Sequence, residues 1–259
     1  MGPAIAGVAV DLWLPSAILF DSAVFFVSAI IIAVINVPQT HQEANPGGEK
    51  TVWEDLKAGL NFVRRNRALR QVMLITAVAT LGIGAIVLLA IPHLKERLEA
   101  SGLEYGIAMS MFGIGSVAGG LMVNHLSRRL STSTIVGGML VLAGAAITLF
   151  AFTQNYTVVL VSVTVIGACV VMARGVLDTI SQALSPNLMR GRVQSAVNLI
   201  IVASTALAEG VSAVLGSLIG VQTVFVIAGL IIASTGVAAA FTLRGAARLA
   251  SRKMAVGET

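Results

Sequence analysis

Charge is what this sequence most lacks. Acidic and basic residues together make up 11% of its 259 residues, against roughly a quarter in ordinary soluble domains. Hydrophobic residues make up 56%, and they come in long runs rather than alternating with polar ones. The runs lie near 16–36, 69–92, 105–126, 134–153, 157–177, 195–219 and 222–243. A helix needs about 20 mainly apolar residues to cross the hydrocarbon of a bilayer, so the chain reads as an all-α integral membrane protein. Strand-length alternation is missing too, which argues against a β-barrel. Cysteine is reduced to Cys169 alone, inside an apolar run. That excludes a disulfide framework and leaves the residue as a small buried hydrophobe.

Several chemistries are absent as well. The stretch "GGEKT" at 47–51 lacks the residue order and the upstream glycine of a phosphate-binding loop, so no nucleotide site is visible. His41, His93 and His125 fall in separate connections without metal-ligand spacing or a cysteine nearby. No nucleophile elbow or triad pattern stands out. The expectation is no cofactor, no metal and no enzyme. The opening "GPAIAGVAV" at 2–10 is too short to span. It lacks the basic region and cleavage site of a signal peptide, and reads as the end of a helix.

The few charges present are unevenly placed. Lys50, Lys57, Arg64, Arg65, Arg67 and Arg70 fall between the first two runs, Arg128 and Arg129 between the third and fourth, and Arg190 and Arg192 between the fifth and sixth; Arg244, Arg248, Arg252 and Lys253 follow the last. The alternate connections hold only Lys95 and Arg97, diluted by Glu96, Glu99 and Glu104. Basic residues collect on the cytoplasmic side. The 38–68 loop and the C-terminus are therefore expected in the cytoplasm of a multi-pass protein of the plasma (inner) membrane. The net charge of +5 belongs to this asymmetry, and no nucleic-acid partner is needed to explain it.

Two cytoplasmic connections carry information. In "SQALSPNLMRGRVQSAVN" at 181–198, Pro186 ends one helix, Gly191 permits a turn, and Arg190 and Arg192 can hold it at an anionic leaflet. In the 38–68 loop a polar, Pro- and Gly-bearing linker precedes "TVWEDLKAGLNFVRRNRALR" at 51–70. Thr51 and Glu54 form a capping-box pattern, and Trp53, Leu56, Leu60 and Val63 share one helical face. A basic amphipathic helix beside a span belongs at the membrane interface, or docks a soluble partner.

These patterns resemble a known family. Six spans after a long cytoplasmic loop are similar to the C-terminal half of a major facilitator superfamily (MFS) transporter. "GPAIAG" resembles the close of the antiporter motif in the fifth helix, and "LPSAILFDSAVFFVSAIIIAVIN" at 14–36 resembles the sixth. The amphipathic segment is similar to the central loop of the enterobactin exporter and macrolide efflux branch. "QALSPNLMRGRV" resembles that branch's connection between helices ten and eleven, through Gln182, Pro186, Arg190, Gly191 and Arg192. At 119–131, Asn124 and His125 stand where the superfamily's loop motif would have an acidic residue. The resemblance implies an MFS-type bundle of about seven transmembrane helices. Residues 1–37 would be the end of helix five and helix six, 38–68 the linker, 69–243 a six-helix bundle and 244–259 a basic tail. The first four helices and most of the fifth would be missing. The chain is then a truncated product, a mis-assigned start, or a half that pairs with an N-terminal half or a second copy.

Ionised groups inside a membrane are costly and so are functional candidates. Glu209, with Ser204, Thr205 and Ser212 in helical register, is suited either to proton coupling or to a structural hydrogen bond; Asp21 is the second proton-coupling candidate. Arg174 and Asp178, four apart, form either a local ion pair or a gate. Gly115 with Gly119, and Gly216 with Gly220, have the G-x-x-x-G spacing that lets helices approach closely. Two functions follow. The first is a secondary transporter in the lipid bilayer, exporting a small amphiphilic substrate such as a drug or siderophore on a proton gradient. The second is a non-transporting membrane module that binds a partner half or a regulatory protein.

Overall fold

The computed structural model describes residues 2–34 and 52–256, with side chains at 18–34, 57–187 and 189–245. Among these residues every regular element is helical: α1 (Gly2–Val34), α2 (Val52–Arg65), α3 (Arg67–Leu98), α4 (Gly102–Ser127), α5 (Thr132–Phe152), α6 (Tyr156–Leu184), α7 (Arg190–Ile219) and α8 (Val221–Val256). Six of these helices are long and apolar enough to cross a membrane, the α8 span covering Val221–Gly245. The shortest, α5, has 21 residues, which at about 1.5 Å per residue matches a hydrocarbon core of about 30 Å. The linker 38–51, with Lys50 and the Thr51 half of the capping box, lies outside the described residues, as does His41. The two apolar pieces at the start of the sequence are joined in α1, which packs on α4.

Side-chain caps satisfy the backbone at the starts of α3, α4, α5 and α6 and allow short connections. Asn66 accepts from the amides of Ala68 and Leu69 at 3.0 and 3.3 Å, turning α2 directly into α3. Ser101 and Glu104 form a reciprocal capping box, with the Ser101 amide donating to the Glu104 carboxylate at 2.8 Å. Ser131 and Asn155 cap α5 and α6 more simply, their side-chain oxygens accepting from the amides of Thr134 and Thr157. The last break is a single residue. Gly220, at φ 84°, reverses the chain between α7 and α8, a conformation that costs a residue with a Cβ about 1 kcal/mol or more. Such tight links force consecutive helices to run antiparallel.

Packing then follows small residues. The most extensive contacts are α5 with α8 and α4 with α6, followed by α5 with α6 and α3 with α7 and α8. A Cβ added at Gly115 would strike the Thr164 carbonyl, one at Gly119 the Ala168 carbonyl, and one at Gly167 the Phe112 carbonyl. The α4–α6 seam is thus backbone against backbone. Across α5 and α8, Gly137 faces Gly236 and Ala240, and Gly144 faces Gly229 and Ala233. Lipid tails are as apolar as leucine, so close packing rather than apolar burial drives this association. The exterior agrees: Leu121, Leu218, Leu230 and Phe241 are 60–76% exposed.

Candidate functional site

Building from the residues upward, the first candidate region is the junction between α6 and α7. Ser185 ends α6, its hydroxyl donating to the Ser181 carbonyl at 2.7 Å. Pro186 and a single 3-10 turn over Asn187–Met189 follow, and α7 opens at Arg190. Gln182 and Pro186 are exposed, and Gly191 has open space around it. The Arg190 Nε is buried without a hydrogen-bond partner, and the Arg192 guanidinium donates to the Met189 sulfur at 3.7 Å. Against this junction lies α2. A Cβ at Gly59 would strike the Arg192 carbonyl, and Val63 one turn on is 3% exposed. The structure therefore brings together the two stretches on which the resemblance chiefly rested. Lys57, Arg64 and Arg65 point away from the bundle. Leu60 is exposed, so the docked face of α2 centres on Gly59 and Val63.

The second region is α7 itself. Glu209 is half-buried and has no hydrogen bond or ion pair among the described residues. It sits one residue from the seam with α3, where Gly84 meets Ala208 and Thr205 and where Ser212 is buried. Of the six spans α7 is the least enclosed: 11% of its apolar stretch is buried, against 56% for α5. Arg174 and Asp178 pair along one face of α6 at 3.7 Å, the arginine side chain 55% exposed. Asp21 is exposed on α1. Glu209, the Arg174–Asp178 pair and Asp21 therefore stand on three different helices, with no hydrogen bond or ion pair joining them among the described residues.

The glycine pairs divide. Gly115 and Gly119 lie in the α4–α6 seam. Gly216 makes only ordinary contact with Leu89, and Gly220 ends α7 in open space, so these two do not share a helix–helix contact. Histidine placement needs correction: His93 and His125 lie inside α3 and α4, not in connections. His93 is 2% exposed and packs between Phe150 of α5 and Phe225 of α8, at ring separations of 5.2 and 4.9 Å. The apolar run ends at residue 92, yet the helix passes through Pro92 and continues to Leu98. Neighbouring helices in a membrane bundle make an interior proline tolerable. The seven-residue spacing of Gly137 with Gly144 and of Gly229 with Gly236 was the available signal for the α5–α8 seam. No group of His, Cys, Asp or Glu among the described residues can hold a metal.

Six spanning helices locked by backbone contact define a multi-pass membrane helical bundle. The chain belongs to the MFS family described as transmembrane secretion effectors, which it matches over residues 1–256. No curated protein matches it.

Proposed function

We propose that this transporter exports a small amphiphilic molecule in exchange for protons, with Glu209 as the residue that binds and releases the proton. The observation that carries the reading is the placement of Glu209: a carboxylate without a partner among the described residues, inside the least enclosed spanning helix. A carboxylate at such depth costs roughly 2.5–3.5 kcal/mol on insertion scales, and it persists where water, a proton or a moving partner reaches it. No nucleotide-binding pattern is visible in the sequence, so an ion gradient is the natural energy source. The open face of α7, with Leu199, Val202, Leu207, Val211 and Val214 exposed, supports a second helical bundle packing there to complete alternating access, either a matching N-terminal half or another copy. In this reading α2 and the linker before it tether the two bundles on the cytoplasmic side of the inner membrane.

The test is Glu209→Gln in a transport-competent assembly reconstituted in vesicles. Gln keeps shape and hydrogen bonding but cannot titrate. Efflux is expected to lose its pH dependence while the protein inserts and folds as before. An unchanged pH profile would move proton coupling to other helices and leave Glu209 a structural role.

A further inference from the structure

Helices α3 and α4 diverge, making little contact with each other. Between them lies a cavity of about 140 Å³ whose floor is formed by Phe150 of α5 with Val163 and Ile166 of α6. All four walls come from one bundle, so the cavity does not depend on a second bundle to exist. Three of its twelve lining residues are aromatic, Tyr105, Phe112 and Phe150, in a chain whose aromatic content is 5%. The Tyr105 hydroxyl is the only side-chain nitrogen or oxygen among the twelve, and no charged residue among the described ones lines the space. Behind the floor, Phe225 meets the Phe150 ring edge-on at 5.4 Å and His93 lies tilted against it at 5.2 Å, fixing its plane. The mouth opens past Val87 and Met109, which are 59% and 37% exposed.

We infer that this cleft binds one six-membered-ring-sized apolar group of a small amphiphile, with the polar end of the molecule left at the Val87–Met109 mouth. The volume matches: an apolar protein cavity of about 150 Å³ stays dry and takes up benzene. The aromatic walls favour a flat ring through edge-to-face and offset contacts. With no ionic partner inside, the group that enters is uncharged, and Tyr105 offers one hydrogen bond to a ring substituent. The inference rests on reading the chain as a carrier of small amphiphilic molecules and specifies the part of the substrate this bundle recognises.

The experiment uses the full chain in lipid nanodiscs with ¹³C-methyl methionine and benzyl alcohol as the probe. Met109 stands at the mouth, Met122 on the same helix is 56% exposed to lipid, and Met172 is buried on α6. The Met109 methyl is expected to shift saturably through ring currents. Met122 should shift only linearly, reporting probe dissolved in the bilayer, and Met172 should stay fixed as the reporter of folding. Ala90→Phe, which fills the cleft, should weaken the saturable shift at least tenfold. Val87→Trp closes the mouth from an exposed position without disturbing the packing and should do the same. 9-Anthracenemethanol, too large for the space, should give no saturable response. Met109 and Met122 titrating alike, as they would if an acyl chain filled the cleft, would overturn the site. So would a saturable response that survives both variants, or one given equally by 9-anthracenemethanol. The titration reads occupancy without transport, so its failure leaves the Glu209 experiment to decide the carrier reading independently.

Discussion

Glycine serves opposite ends at neighbouring positions of α4. At Gly119 a Cβ would collide with the Ala168 carbonyl, whereas at Gly113 it would meet nothing within 4 Å. In a helix interior, glycine is disfavoured relative to alanine by roughly 0.5–1 kcal/mol, and overpacking a close contact costs about 1–3 kcal/mol. The two substitutions are therefore expected to differ in sign. Gly113→Ala should leave stability unchanged or raise it, while Gly119→Ala should lower it by about 1–3 kcal/mol, as read from the midpoint of unfolding in mixed micelles. Equal midpoints would mean that α4 and α6 are not held backbone to backbone. The G-x-x-x-G spacing of Gly115 and Gly119 was visible in the sequence, but the same spacing at Gly216 and Gly220 marks a helix end. Only the partner helix distinguishes the two cases, and the partner is a tertiary fact. Glu209 was likewise legible as a carboxyl group in a greasy run, whereas its want of a partner among the described residues was not.

At the scale of elements, helix existence followed from hydropathy because a span must be apolar over its whole length. The run at 134–153 and the helix Thr132–Phe152 differ by only a residue or two. Helix ends were harder to place where polar groups belong inside the helix, as with α3, which runs six residues past the apolar stretch through Pro92 and His93. Docking of α2 on α7 was not legible either, since Gly59 carries no signal until Arg192 is known to lie against it. That contact yields a prediction. Gly59→Leu should push α2 off the start of α7, exposing Val63. The six-helix bundle should survive because, among the described side chains, α2 contributes only Phe62 and Val63 to its core. Limited proteolysis is expected to cut after Arg64 or Arg65 several-fold faster in this variant, with cleavage within α3–α8 unchanged. Equal cleavage rates would show that α2 is not seated there.

For the whole molecule, antiparallel spans sort the connections into two ends. The turns at 99–101 and 153–155 and the break at Gly220 share one end; the turns at 128–131 and 185–189 share the other with α2. The second end carries Arg64, Arg65, Arg67, Arg70, Arg128, Arg129, Arg190 and Arg192. The first carries Lys95 and Arg97 beside Glu96, Glu99 and Glu104. Each basic residue near an anionic leaflet contributes about 1 kcal/mol, so from the imbalance in arginine and lysine the α2 end is expected in the cytoplasm. The protein is well suited to a labelling test because its lone thiol, Cys169, is buried and free. Gln154 and Asn187 are exposed at opposite ends. A membrane-impermeant maleimide is expected to label Gln154→Cys in intact cells and Asn187→Cys only after the membrane is permeabilised. The reverse pattern would invert the bundle, place the basic tail outside, and require the proposed export direction to be redrawn from the opposite face.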